Sequence, residues 1–194
     1  MRLAPLTLLI AGLTLLAGPA PAQTKAPAAE KRQTPLTRLN AKTDAMMKGL
    51  SEAQTKEFAT IRAAHGTLRA VEDIRGTLDR AVTSCAKANP DMKEDLTGRF
   101  QSWKNNVLPV LRQGHNRVEK MILTQSVTSP GEIRSYLKLL DAAIADQNSQ
   151  FKEVPVSKKD ACETMAENMS DTQKEMVELM TQTLGLDEEP PIRK

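Results

Sequence analysis

Between Phe58 and Cys85, apolar side chains return at steps of three, four and seven residues: Phe58, Ile61, Leu68, Val71, Leu78, Val82 and Cys85, with His65 in the same register. Helical geometry gathers such positions onto one face, so the interval predicts a long amphipathic helix with one buried stripe. Ser51-Glu52-Ala53-Gln54, just ahead, has the form of a capping box: the serine accepts a backbone N–H and the glutamine reaches back. Asn89-Pro90 closes this helix and reads as the start of the next, with asparagine as cap and proline at the first helical position. That helix carries Met92, Leu96, Phe100, Trp103, Val107, Leu111, Val118 and Ile122. Pro109 falls inside the pattern and predicts a kink, because its ring removes a hydrogen bond and clashes with the turn behind.

Ser129-Pro130 repeats the cap-plus-proline signal before a third stripe, Ile133, Leu137, Leu140, Ile144 and Phe151. Lys152 to Val156, with Pro155, reads as a short extended link. Ser157-Lys158-Lys159-Asp160 has the form of another capping box. It opens a helix through Cys162, Met165, Met169, Met176, Met180 and Leu184, which Gly185 stops. A weaker helix through Leu39 and Met46 precedes all four. Aromatics make up only 3 % of the chain, and Ala, Leu, Met, Glu, Lys and Gln are plentiful, which favours helix throughout. The expected fold is all-α: an antiparallel bundle of four main helices plus a short N-terminal helix, over 36–185, with short connections.

The N-terminus has a different character. Arg2 is the sole charge before Lys25, Leu3 to Ala17 is almost wholly apolar, and Ala20-Pro21-Ala22 is a small-x-small exit. This pattern reads as a cleavable secretory signal peptide over 1–22. The apolar run falls short of the roughly 20 residues a spanning helix needs. Residues 23–35, rich in Ala, Pro and charge, read as a disordered linker, and 186–194 as a flexible tail. Export to the periplasm or the medium bears on Cys85 and Cys162, because an even cysteine count in an oxidising compartment favours a disulfide. Topology agrees. Cys85 closes the first long helix and Cys162 opens the fourth, and in an up-down-up-down bundle those two ends share a pole.

No catalytic arrangement emerges. The chain has no Gly-x-Ser-x-Gly, no His-Glu-x-x-His and no Cys-x-x-Cys, so the usual serine-hydrolase, zinc-protease and redox patterns, and covalent haem attachment, are missing. The carboxylates are scattered as on solvated helix faces. The formal charge is only +3, which is no footprint for nucleic acid. His65 and His115 lie at similar distances from the Asn89 turn, so antiparallel helices bring them to nearly the same level. Facing histidines in a bundle can hold haem or a metal, but two ligands alone make a thin site, and packing histidines are the simpler reading. The expectation is a protein that is not an enzyme and carries no cofactor.

Met165, Met169, Met176 and Met180 fall within a narrow arc of the last helix. Flexible thioethers fill irregular cores, line adaptable peptide-binding surfaces and bind Cu(I), and all three readings apply here. Leu50-Ser51-Glu52-Ala53-Gln54 and Met169-Ser170-Asp171-Thr172-Gln173 resemble the Leu-Thr-x-x-Gln motif of the periplasmic Spy/CpxP stress proteins. Serine replaces threonine in both copies and methionine replaces leucine in one, and if the second copy caps a helix the last helix breaks near Ser170. The resemblance implies a small helical periplasmic protein with holdase-like or stress-sensing behaviour. The leading expectation is an exported binder of unfolded or envelope polypeptides, with a protein or peptide partner met by the Met arc and no membrane span. The rivals are a structural or adaptor subunit of an envelope assembly and a haem- or copper-binding bundle.

Overall fold

The computed structural model describes residues 33–152 and 154–187. The expected leader, most of the linker and the end of the tail lie outside the described residues. Among the described residues five helices form: α1 (Pro35–Met47), α2 (Glu52–Ala88), α3 (Lys93–Thr124), α4 (Pro130–Asn148) and α5 (Lys159–Leu184), with a 3-10 turn, Pro90–Met92, between α2 and α3. No helix among the described residues is long and apolar enough to cross a membrane.

Local chemistry sets most of the helix ends. Thr34 caps α1 and Ser129 caps α4, each accepting a backbone N–H three residues on, with Pro35 and Pro130 in the first turn. Both halves of the Ser51–Gln54 capping box form at the start of α2. Gly49, at φ 85°, makes the turn between α1 and α2, and Gly185, at φ 57°, ends α5. There Leu186 N–H donates to Thr181 O at 3.0 Å.

Three expectations are corrected. Asn89 makes no side-chain cap; its Nδ2 donates instead to Cys85 O at 3.3 Å and to Ser157 O at 3.1 Å. Ser157 does not cap α5, whose first residue follows Lys158, because the Ser157 carbonyl is held by Asn89 and the chain there is still extended. α5 runs unbroken through Ser170, so the second motif copy is no helix start. α3 continues past Pro109 as a single helix. The carbonyl that loses its partner there belongs to Asn105, on the exposed face where water can take its place.

The helices run up, down, up and down from α2 to α5. α2 and α3 form a long antiparallel hairpin, tied by Ser126 to Glu57 (2.8 and 2.9 Å) and His115 to Glu72 (3.1 Å). α4 lies parallel to α2. Tyr136 meets Phe58 edge-on at 4.9 Å between centroids, and Arg62 lies over both rings. Asp141 meets His65 at 2.8 Å, and Asn148 meets Asp73 at 3.4 Å. α1 packs on α4, where Thr43 and Tyr136 hydroxyls lie 3.1 Å apart and Lys42 pairs with Glu132.

α5 lies along the other half of the hairpin. Arg99 donates to Ala166 O at 3.4 Å, and Asn106 meets Gln173 at 3.3 Å. The Cys85–Cys162 disulfide ties its start to the end of α2, with Cα atoms 5.8 Å apart. The core is apolar throughout, led by Trp103, Tyr136, Phe58, Ile61, Leu68 and Met180. Gly114 lets α2, α3 and α5 close together, because a Cβ there would sit 2.5 Å from Leu68 Cδ2 and 2.7 Å from Leu184 Cδ1.

Candidate functional site

The methionine arc belongs mainly to the core. Met180 is fully buried and Met169 is 2 % exposed, while Met165 and Met176 are half-buried and packed against the same cluster. The arc faces α2 and α3, so it presents no open thioether surface. Its spacing is that of any helix stripe, and only the position of the neighbouring helices separates core from groove.

The histidines do not form a joint site. His65 pairs with Asp141 of α4, and His115 with Glu72 of α2, two turns beyond His65. Each therefore bridges two helices through its own carboxylate. Among the described residues no group of three or more His, Cys, Asp or Glu is placed to hold a metal ion.

The pole of the disulfide is clamped several times over. Cys85 and Cys162 are both fully buried. Asn89 spans from α2 to the link, and Lys159 Nζ donates to Asp91 Oδ2 at 2.6 Å across to the 3-10 turn. That hydrogen bond holds the Asp91 carboxyl below its ordinary range and raises the Lys159 ammonium above its own. At the other pole, Arg134 does the same to Glu119.

The open feature lies beside the disulfide pole, along one side of α2. α2 has 37 residues and α4 only 19, about 55 and 28 Å of helix. Beyond Asn148 the chain turns off, and Phe151, expected in the apolar stripe of the third main helix, is 76 % exposed instead. Val154, Pro155 and Val156 then lie against the upper part of α2, with Val154 81 % exposed. Between link and helix lies a groove of about 510 Å³, floored by Thr77, Ala81 and Ser84 and walled by Val154, Pro155 and Val156. The other exposed large apolar residues, Leu36, Met47, Leu123 and Leu179, sit singly on α1, α3 and α5.

The groove continues a ridge that is covered lower down. Phe58, Arg62, His65 and Asp73 of α2 face α4, and steps of three and four carry the same ridge on to Thr77, Arg80, Ser84 and Lys87. The sequence carries a signal for this in the unequal lengths of the first and third main helices, but no residue-level motif marks it. No protein-family model, curated protein or solved structure matches the chain.

Proposed function

We propose that this chain is an exported, non-catalytic helical protein that binds unfolded or envelope polypeptides in the manner of a holdase, and that the groove between α2 and Val154, Pro155 and Val156 receives them. The observation that carries this reading is Val154, 81 % exposed on the wall of a groove, with Phe151, 76 % exposed, three residues before it in the chain. Isolated exposed apolar residues need no explanation, but an exposed apolar side chain on the wall of a concave surface, with a second close by in the chain, marks a contact site for another polypeptide. The methionine arc takes no direct part, because it holds α5 in place.

Purified protein is expected to slow aggregation of an unrelated unfolding substrate at near-stoichiometric ratio. Phe151→Ser with Val154→Ser should weaken that protection without changing helix content or melting temperature. Absence of protection by the parent protein removes the reading. Export itself is tested by intact mass: material from the periplasm or the medium should begin at or near Gln23, and a mass retaining Met1 to Ala22 refutes cleavage.

The uncovered ridge of α2 also favours a second reading, an adaptor subunit that takes one helix of a folded envelope partner. A stable complex of fixed stoichiometry, with no protection of unfolded substrates, would select it.

A further inference from the structure

The aromatic residues of the chain are three Phe, one Trp and one Tyr. Phe58, Phe100, Trp103 and Tyr136 are buried in the core, and Phe151 is largely exposed. It stands just past the end of α4, at the start of the connection to α5. An enzyme that selects aromatic side chains therefore meets one of them at the surface.

The backbone around Phe151 is as open as its side chain. An endoprotease must hold its substrate extended, so bonds inside helices or pinned turns are protected until those elements open. The other connections are pinned. Leu50 N–H donates to Met47 O at 3.3 Å ahead of the Ser51–Gln54 capping box, and the 3-10 turn after α2 is closed by Met92 N–H to Asn89 O at 3.0 Å. Between α3 and α4, Gln125 Oε1 accepts from Val127 and Thr128 N–H at 2.6 and 3.0 Å, and Ser126 is bonded to Glu57. In the α4–α5 connection, Gln150 N–H to Gln147 O and Phe151 N–H to Asn148 O, both 3.1 Å, close the end of α4. Helix ends open at the lowest cost. Lys152, Val154 and Pro155 make no hydrogen bond to another described residue.

The fold is built to survive a cut at this point. Position 151 lies between Cys85 and Cys162, so their fully buried disulfide joins the two pieces that hydrolysis would create. Every helix stays whole, α1 to α4 in one piece and α5 in the other. α5 is also held by packing on α2 and α3, with Met169, Met180 and Leu184 buried.

We infer that the Phe151–Lys152 peptide bond is a processing site for an endoprotease whose pocket takes a large aromatic side chain before the scissile bond, and that the product is a folded two-chain molecule joined by Cys85–Cys162. Hydrolysis consumes one water and leaves a carboxylate on Phe151 and an ammonium group on Lys152. Neither the cut nor its product depends on what the protein binds.

The test uses the full disulfide-bonded protein and chymotrypsin, at low ratio and short times. Mass spectrometry should place the first cut after Phe151, ahead of any cut at the exposed helical residues Leu36, Leu123 and Leu179. Denaturing gels should show one band of parental size without reductant and two smaller bands with it. Circular dichroism of the cut protein should keep the parent's helix signal. Phe151→Ser should slow the first cut at least about tenfold, and Phe151→Tyr should restore it, because the enzyme's apolar pocket reads this side chain. A first cut elsewhere, an equal rate in Phe151→Ser, or loss of the helix signal on cutting overturns the inference.

Discussion

Asn148 Nδ2 lies 3.4 Å from Asp73 Oδ2, and that contact marks the level at which α2 loses its helical neighbour α4. Asp73 is also held by Arg69 one turn earlier, at 2.8 Å, so the last turn of α4 is seated on an ordered carboxylate. Below this level α4 shares the ridge of α2; above it, the link replaces a helix with a strip of apolar chain. The division explains why Phe151, three residues past Asn148, leaves the core.

The disulfide should dominate the stability of its pole. Cys85 and Cys162 are 77 residues apart, and closing such a loop contributes about 4 kcal/mol by the chain-entropy estimate. Cys85→Ala with Cys162→Ala is expected to lower the denaturation midpoint strongly while helix content survives. Thiol labelling of the denatured, non-reduced parent should find no free cysteine. Two labelled thiols in protein taken from its native compartment would contradict the bond.

Two glycines in helices should respond oppositely to alanine. Nothing lies within 4 Å of a Cβ placed on Gly66, so Gly66→Ala should raise stability by about 0.5–1 kcal/mol through helix propensity. Gly114→Ala gains the same propensity but drives a methyl into the buried ends of Leu68 and Leu184. Overpacking of that kind costs about 1–3 kcal/mol, so the net change should be a loss. Urea unfolding of the two variants measures both signs, and a stabilised Gly114→Ala would show that α5 can shift away.

Met180→Gln places an amide where the side chain is fully buried. Burying a polar group without a partner costs about 1–3 kcal/mol, and the melting temperature should fall accordingly. Met176→Gln, at a half-buried position, should cost less. Equal, near-zero effects would mean that the arc is not packed as described.

The Asp91–Lys159 pair predicts a window of pH. The Asp91 carboxyl is held below its ordinary value, so its contribution is present above the unfolded-state pKa and is lost as pH falls through the lower folded one. Lys159 is raised, so its contribution is present below the ordinary lysine value and is lost as pH rises through the higher folded one. Both groups are at the surface, so the effect is small and screened by salt. Lys159→Ala should lower the melting temperature slightly at neutral pH and flatten its acid limb relative to the parent. Parallel melting-temperature profiles between pH 2 and 7 would exclude the linkage.

The periodicity of the chain determined the helices themselves, because steps of three and four residues bury a stripe only in an α-helix. Capping chemistry at Ser51 and Ser129, and Gly185 in the left-handed region, placed several ends by rules acting within one turn. The Cys85–Cys162 pairing was equally legible, since it follows from chain order once the up-down-up-down path is assumed. Tertiary structure decided what those local rules cannot reach. Asn89 and Ser157 are capping residues by type, yet they bond to each other across 68 positions, because the disulfide brings the two helix ends together. Met169 and Met180 became core, and Phe151 became surface, according to where α3, α5 and the link came to lie. A stripe in a sequence specifies which side of a helix is apolar. What lies against that side depends on the lengths and positions of the other helices, and here α4 ends four turns before α2 does.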